Sequence, residues 1–147
     1  RDHPSSVAPW KRPRLTPNPA IVVFEDSDVM PFGTPGADVQ TQAMLQVLLN
    51  IVDFNVPLQE AVELPRFASY DAPDSFEPHS YQRKLIKIEK GVEADVKKTL
   101  TDYGHKVEDW PSYTWKAGAV CAILDQASPR LLSGAADPRR PCLALGV

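Results

Sequence analysis

The stretch Gly33-Thr34-Pro35-Gly36-Ala37-Asp38 holds the best means this chain has of doing chemistry. A short apolar run, residues 29–32, reads as a strand leading into it, and a long apolar helix over residues 39–53 follows. A tight turn ending at a helix start gathers unpaired backbone N–H groups and the positive end of the helix dipole at one point. Such a point holds an anion, or a carbonyl oxygen gaining charge during acyl transfer. The same residues also fit a plain connection, with Gly36 supplying an unusual backbone angle and Asp38 capping the helix. Gly-rich turns are common punctuation, so the turn alone favours the plain connection.

Other chemistry leaves weaker traces. No serine sits on a G-x-S-x-G elbow. A Ser–His–Asp set assembled in space has no spacing signature, so that reading stays open. The three histidines are dispersed, with no H-x-x-x-H and no cysteine cluster, which gives a metal site little support. His79, between Pro78 and Ser80, reads as solvated, and His105, just past Gly104, as structural. Cys121 lies in the apolar run 119–124 and reads as a buried, inert thiol. A disulfide with Cys142 stays open, and so does the redox compartment. Asp137-Pro138-Arg139-Arg140-Pro141 reads as a tight turn with a paired Asp and Arg, in preference to a phosphate site.

The elements that must position the turn are legible from periodicity. Residues 20–24 and 29–32 predict a hairpin across Glu25-Asp26-Ser27-Asp28. Val39, Ala43, Met44, Val47, Leu48, Ile51 and Val52 follow helical spacing, and Leu45 and Leu49 widen the stripe, so this helix is expected to be covered on most sides. A second short helix over 57–63, with proline in its first turn, stops at Pro65. Residues 66–82 predict a long surface loop, and 84–89 a half-exposed strand. Residues 93–103 predict an amphipathic helix with Val96 and Leu100 inward, ended by Gly104. Residues 119–125 predict a strongly buried strand, with 131–136 as its hairpin partner. The order fits part of a layered α/β (α+β) domain, mostly antiparallel because short turns join the strand pairs.

The chain has 147 residues, enough for one domain, and we treat 1–147 as a single segment. A net charge of -3 argues against a nucleic-acid partner. No apolar run reaches the roughly 20 residues that span a bilayer. Proline is enriched, 15 of 147 against an average near ~5%. Residues 1–19 are therefore expected to be extended, either as an exposed arm or as a fixed loop lining a cleft.

The turn does not stand alone. With Leu45-Gln46-Val47-Leu48-Leu49-Asn50, Asp53-Phe54, Glu60-Ala61-Val62, Pro65-Arg66-Phe67, Gly104-His105-Lys106-Val107 and Gly134-Ala135-Ala136-Asp137-Pro138-Arg139, it resembles the C-terminal part of the gamma-glutamyltranspeptidase family. The run from Lys11 to Pro19, Lys-Arg-Pro-Arg-Leu-Thr-Pro-Asn-Pro, is similar to the gamma-glutamyltranspeptidase-like bacterial branch. The resemblance implies an N-terminal-nucleophile hydrolase with αββα layers. A precursor of this kind cuts itself, and the new N-terminal Thr attacks the gamma-glutamyl amide with its own α-amine as base. The family's oxyanion glycine pair falls on Gly36 and Ala37, whose backbone N–H groups are the implied catalytic contribution of this chain. The family's paired serines, which contact the glutamyl carboxylate, fall on Leu15 and Thr16. Thr16 keeps a hydroxyl and Leu15 does not; Arg14 offers a compensating carboxylate contact.

Three features depart from the family pattern. Leu15 points to a different amide acyl group, and Ala37 replaces a glycine. Arg1 is not Thr, Ser or Cys, so the nucleophile is expected upstream of this chain and the chain is expected to be inactive alone. The implied partners are the large subunit, the upstream part of the small subunit, and a small gamma-glutamyl or related amide. No cofactor is implied, because nucleophile, base and oxyanion donors all come from protein. An export signal would lie upstream, so cytoplasm and periplasm both stay open. A non-catalytic binding or assembly homologue is the alternative from another class, and a beta-lactam acylase-like specificity is a third. Strands left without their upstream neighbours predict that the isolated segment self-associates or partly unfolds.

Overall fold

The computed structural model describes residues 3–13 and 16–146. Two sheets carry the chain. The first is fully antiparallel in the order β1-β2-β6-β7, formed by β1 (Ala20–Val23), β2 (Val29–Gly33), β6 (Cys121–Ala127) and β7 (Arg130–Ala135). The second has the order β3-β4-β5, from β3 (Phe67–Ser69), β4 (Leu85–Glu89) and β5 (Lys106–Trp110). Here β3 runs antiparallel to β4, while β4 and β5 are parallel, joined through α3 (Ala94–Asp102). The mostly antiparallel expectation therefore holds, with one parallel pair that needs a helical crossover.

The expected β1–β2 hairpin forms, with Ala20 opposite Phe32 and Val23 opposite Val29. Alternation sends Met30, Phe32, Ala122 and Ala135 to one face of the first sheet. Helices α1 (Gln40–Val52) and α2 (Leu58–Glu63) cover that face with Ala43, Met44, Val47, Ala61 and Val62. The opposite face carries Ile21, Val23, Ile123 and Leu132, all exposed. Only one side of this sheet is therefore layered within the described residues. The same asymmetry leaves Leu45 and Leu49 of α1 exposed, so the helix is not covered on most sides as the apolar stripe suggested.

Several sequence expectations need correction. The 66–82 segment is not all loop, because β3 pairs with β4, and Gln46 and Gln42 of α1 hold its backbone at Phe67 and Ser69. Strand β4 is the central strand of the second sheet, and four of its five residues are buried with Lys87 intermediate, so it is not the half-exposed strand expected. Helix α3 buries no residue, and Val96 is exposed. Strand β6 alternates instead of being buried throughout, and its first residue, Cys121, is exposed. Both cysteines are free thiols. Burial and a hydrogen bond with the Cys121 thiol push the Cys142 thiol up from its ordinary value. The described residues before Ala20 contain turns and no helix or strand. No helix among the described residues is long and apolar enough to cross a membrane.

Candidate active site

The turn at residues 33–38 leaves the middle of the first sheet and enters α1 through a short 3-10 turn, Ala37–Val39. Gly36 has φ +145° and Ala37 has φ +50°. Glycine adopts the first angle freely, whereas alanine at the second bears a left-handed conformation costing about 1–2 kcal/mol. The consequence is that the Gly36 and Ala37 N–H groups find no acceptor among the described residues. Asp38 does not cap the helix. Its carboxylate instead accepts the Ser75 N–H at 2.7 Å and the Ser75 hydroxyl, fastening the 71–80 loop to the turn.

Thr34 fixes the turn from behind. Its buried hydroxyl donates to the Pro35 carbonyl at 2.7 Å and accepts the Ala119 N–H at 2.7 Å. Gly118, at φ +83°, makes this approach possible. A Cβ there would lie 2.8 Å from the Thr34 hydroxyl and 3.2 Å from the Ala43 side chain.

A buried ion cluster holds the strand that Thr34 grips. Arg66 contacts Asp137 at 2.6 Å, and Arg139 contacts Glu89 at 2.5 Å and Asp137 at 3.1 Å. Asp137 also accepts the Val120 N–H, and Arg66 donates to the Ala117 carbonyl. Both arginines donate to the Val62 carbonyl, and Arg139 also to that of Leu64, satisfying carbonyls that the end of α2 leaves open. Burial works against the Arg139 charge, but the hydrogen bond to Glu89 and the charges of Asp137 and Glu89 outweigh it and raise its pKa. Burial lowers that of Arg66, with Asp137 opposing and Arg139 adding to the shift. The Asp–Arg turn expected at 137–139 is thus real, and two distant partners, Arg66 and Glu89, complete it.

Two cavities meet at Ala37. One of about 300 Å³ brings Thr16 and Asn18 against Ala37 and Asp38. The other, about 520 Å³, runs from Gly36 and Ala37 past Tyr70 to Trp115, Lys116 and Arg140. Burial first, and then the Asp74 charge, pushes the Tyr70 hydroxyl up from its ordinary value, which keeps it a donor. A larger hollow of about 720 Å³ lies elsewhere, on the bare sheet face beside residues 143–145. Of the expected site residues, Ala37 therefore lines one cavity with Gly36 and the other with Thr16, while Arg14 and Leu15 fall outside the described residues. No group of His, Cys, Asp or Glu among the described residues could hold a metal ion. His79 is exposed, its Nδ1 2.8 Å from the Asp74 carbonyl.

Comparison with known proteins shows the family. The family model described as Gamma-glutamyltranspeptidase matches residues 1–147. The chain is 32% identical over 152 residues to a glutathione hydrolase proenzyme of Pseudomonas sp. (strain A14), covering 97% of this chain and 24% of that protein. It is 30% identical over 144 residues to an oxamate amidohydrolase proenzyme of Klebsiella pneumoniae, covering 98% of this chain and 26% of that protein. Among solved structures, gamma-glutamyltranspeptidase from Pseudomonas nitroreducens complexed with L-DON superposes with a TM-score of 0.70 at 26% identity, over 100% of this chain and 70% of that one. The chain spans about a quarter of the length of these curated relatives. With the family model matching from end to end, this chain belongs to the gamma-glutamyltranspeptidase family.

Proposed function

We propose that the longer protein carrying this chain cleaves gamma-glutamyl or related amides by acyl transfer, and that this chain supplies the oxyanion donors. The observation that carries the reading is the pair of unpaired N–H groups, Gly36 and Ala37, at the wall of a cavity. In this mechanism an N-terminal Thr outside these residues attacks the amide carbon, its α-amine taking the hydroxyl proton. The new O–C bond turns the carbonyl oxygen into an oxyanion, which the two N–H groups hold. Collapse breaks the C–N bond, and the amine leaves with the proton. Water or an acceptor amine then attacks the ester and releases the Thr. Losing one such donor costs ~10²–10³ in rate.

Thr16, across the turn, is the acyl-side contact, with Leu15 and Arg14 before it in the chain. A second reading keeps the chemistry and changes the acyl group. It is favoured by Leu15 and by a relative named for oxamate, at nearly the same identity as the one named for glutathione. The test is release of p-nitroaniline from gamma-glutamyl-p-nitroanilide by the gene-encoded protein and by the isolated 147-residue chain. Turnover by the first and none by the second is expected. Turnover by the isolated chain would overturn the assignment of the nucleophile, and oxamate cleavage without anilide cleavage would select the second reading.

A further inference from the structure

Ala37 lies on the wall of two cavities, and only one of them contains Thr16, the one described residue among those expected to contact the acyl group. Thr16 lies in the smaller, against Ala37 and Asp38. The larger shares Ala37 and Asp38 but extends the opposite way, to Trp115, Lys116 and Arg140. In acyl transfer, the departing amine and the acceptor that replaces it lie on the side of the reacting carbon away from the acyl chain. Given the acyl-transfer reading above, the larger cavity is the place for that half of the substrate.

Its charges state what that half carries. Of the three cations on its wall, Lys87 is already paired with Glu108 at 3.1 Å. Arg140 and Lys116 have no ion pair among the described residues. The Arg140 guanidinium rests 5.6 Å from the Trp115 ring centroid, and its Nε is buried without a hydrogen-bond partner. A guanidinium stacked on an aromatic face has its edge free, and that edge matches a carboxylate in a two-point contact. The acids of the same cavity are engaged: Asp38 accepts from Ser75, and Asp74 accepts the Phe76 N–H at 2.8 Å. We propose that Arg140, steadied by Trp115 and aided by Lys116, is a carboxylate subsite for the leaving group or acceptor, selecting amines that carry an anionic group, such as amino acids and short peptides.

A matched pair of substrates tests this in the gene-encoded protein: gamma-glutamyl-p-nitroanilide and gamma-glutamyl-3-carboxy-4-nitroanilide, which differ by one carboxylate on the leaving group. The readout is the ratio of kcat/KM for the carboxylated over the plain anilide. Arg140→Gln is expected to lower this ratio about 10- to 100-fold, the weight of a charge-assisted hydrogen bond, and Arg140→Lys to restore part of it. For the wild type, the ratio is expected to fall as sodium chloride rises, since screening weakens the pairing. That arm needs no folded variant. A ratio unmoved by Arg140→Gln, or insensitive to salt in the wild type, overturns the subsite and leaves the acyl-transfer reading intact. Failure of the wild type to cleave either anilide overturns the gamma-glutamyl reading itself, together with the subsite's role in it.

Discussion

Thr34 and Ala119 lie 85 residues apart in sequence, yet the threonine hydroxyl accepts the alanine N–H at 2.7 Å. This bond ties the turn at Gly36 to the strand entry at residues 118–120. Thr34→Val keeps the shape and removes the acceptor, leaving a buried N–H unpaired at about 1–3 kcal/mol. Amide hydrogen exchange at Ala119 is expected to accelerate in Thr34→Val and to stay slow in Thr34→Ser. Equal protection in the valine variant would show that the bond does not hold this strand.

Ala37 carries the strain of the site. At φ +50° a side chain costs about 1–2 kcal/mol, while glycine brings an entropic penalty of about 0.5–1 kcal/mol. The difference favours Ala37→Gly by up to about 1.5 kcal/mol, read as a higher thermal midpoint of the gene-encoded protein. Ala37→Val is expected to lower the midpoint, because β-branching is worst tolerated in this region. The order Gly, Ala, Val is the prediction, and any other order would contradict the backbone geometry.

The ion cluster is costly to break. Asp137 is 1% exposed and neutralises parts of both Arg66 and Arg139. Asp137→Ala leaves two buried guanidinium groups facing Glu89 alone, at about 3–5 kcal/mol. That is a large share of the 5–15 kcal/mol typical of a whole domain. A sharp fall in urea midpoint or soluble yield is expected. Removing the exposed pair Lys98–Asp102 on α3 is expected to shift the midpoint only slightly, since such pairs are worth about 0.3–0.5 kcal/mol.

Tyr70 sets an alkaline limit. Its folded pKa is raised by burial and by Asp74, so the folded state prefers the neutral phenol. The stabilisation is therefore complete below the unfolded value near ~10 and is lost as pH climbs through the folded value. Titration at 295 nm, comparing wild type with Tyr70→Phe, is expected to show the missing phenol ionising above the ordinary tyrosine range. A difference curve centred at or below ~10 would contradict it.

The hairpin, the two helices around the core and the turn were legible because each follows from local pattern: Met30 and Phe32 alternate, and Val39, Ala43 and Val47 keep helical spacing. What stayed hidden depends on distant pairing. Strand β3 is three residues long and exists because Gln42 and Gln46 reach its backbone, which no local propensity encodes. The burial of β4 was hidden because its Lys87 and Glu89 find partners far away in sequence, Glu108 and Arg139. Arg66 and Glu89 gave no sign of meeting Asp137 and Arg139 except through the family motifs Pro65-Arg66-Phe67 and Asp137-Pro138-Arg139. Trp115 and Lys116 carried no signal, and Arg140 only that of the anion-site reading set aside at residues 137–141, because a cavity assembled from separate segments has no period.

The bare face of the first sheet carries the last prediction. Ile21 is 68% exposed and Ile123 is 52% exposed, with Val23 and Leu132 on the same side. A contiguous apolar surface of this kind is unfavourable in water and associates with whatever apolar surface is at hand. For the isolated chain at high concentration, the surface at hand is a second copy, face to face. Light scattering after size exclusion is therefore expected to give a mass above the 16.3 kDa of one chain. The double variant Ile21→Lys and Ile123→Lys places charges at the centre of the face without touching the helix-covered core, and is expected to shift the mass back towards the monomer. A wild-type chain that runs as a sharp monomer would show that residues 143–145, which already lie beside this face, cover enough of it to keep the chain apart from its copies.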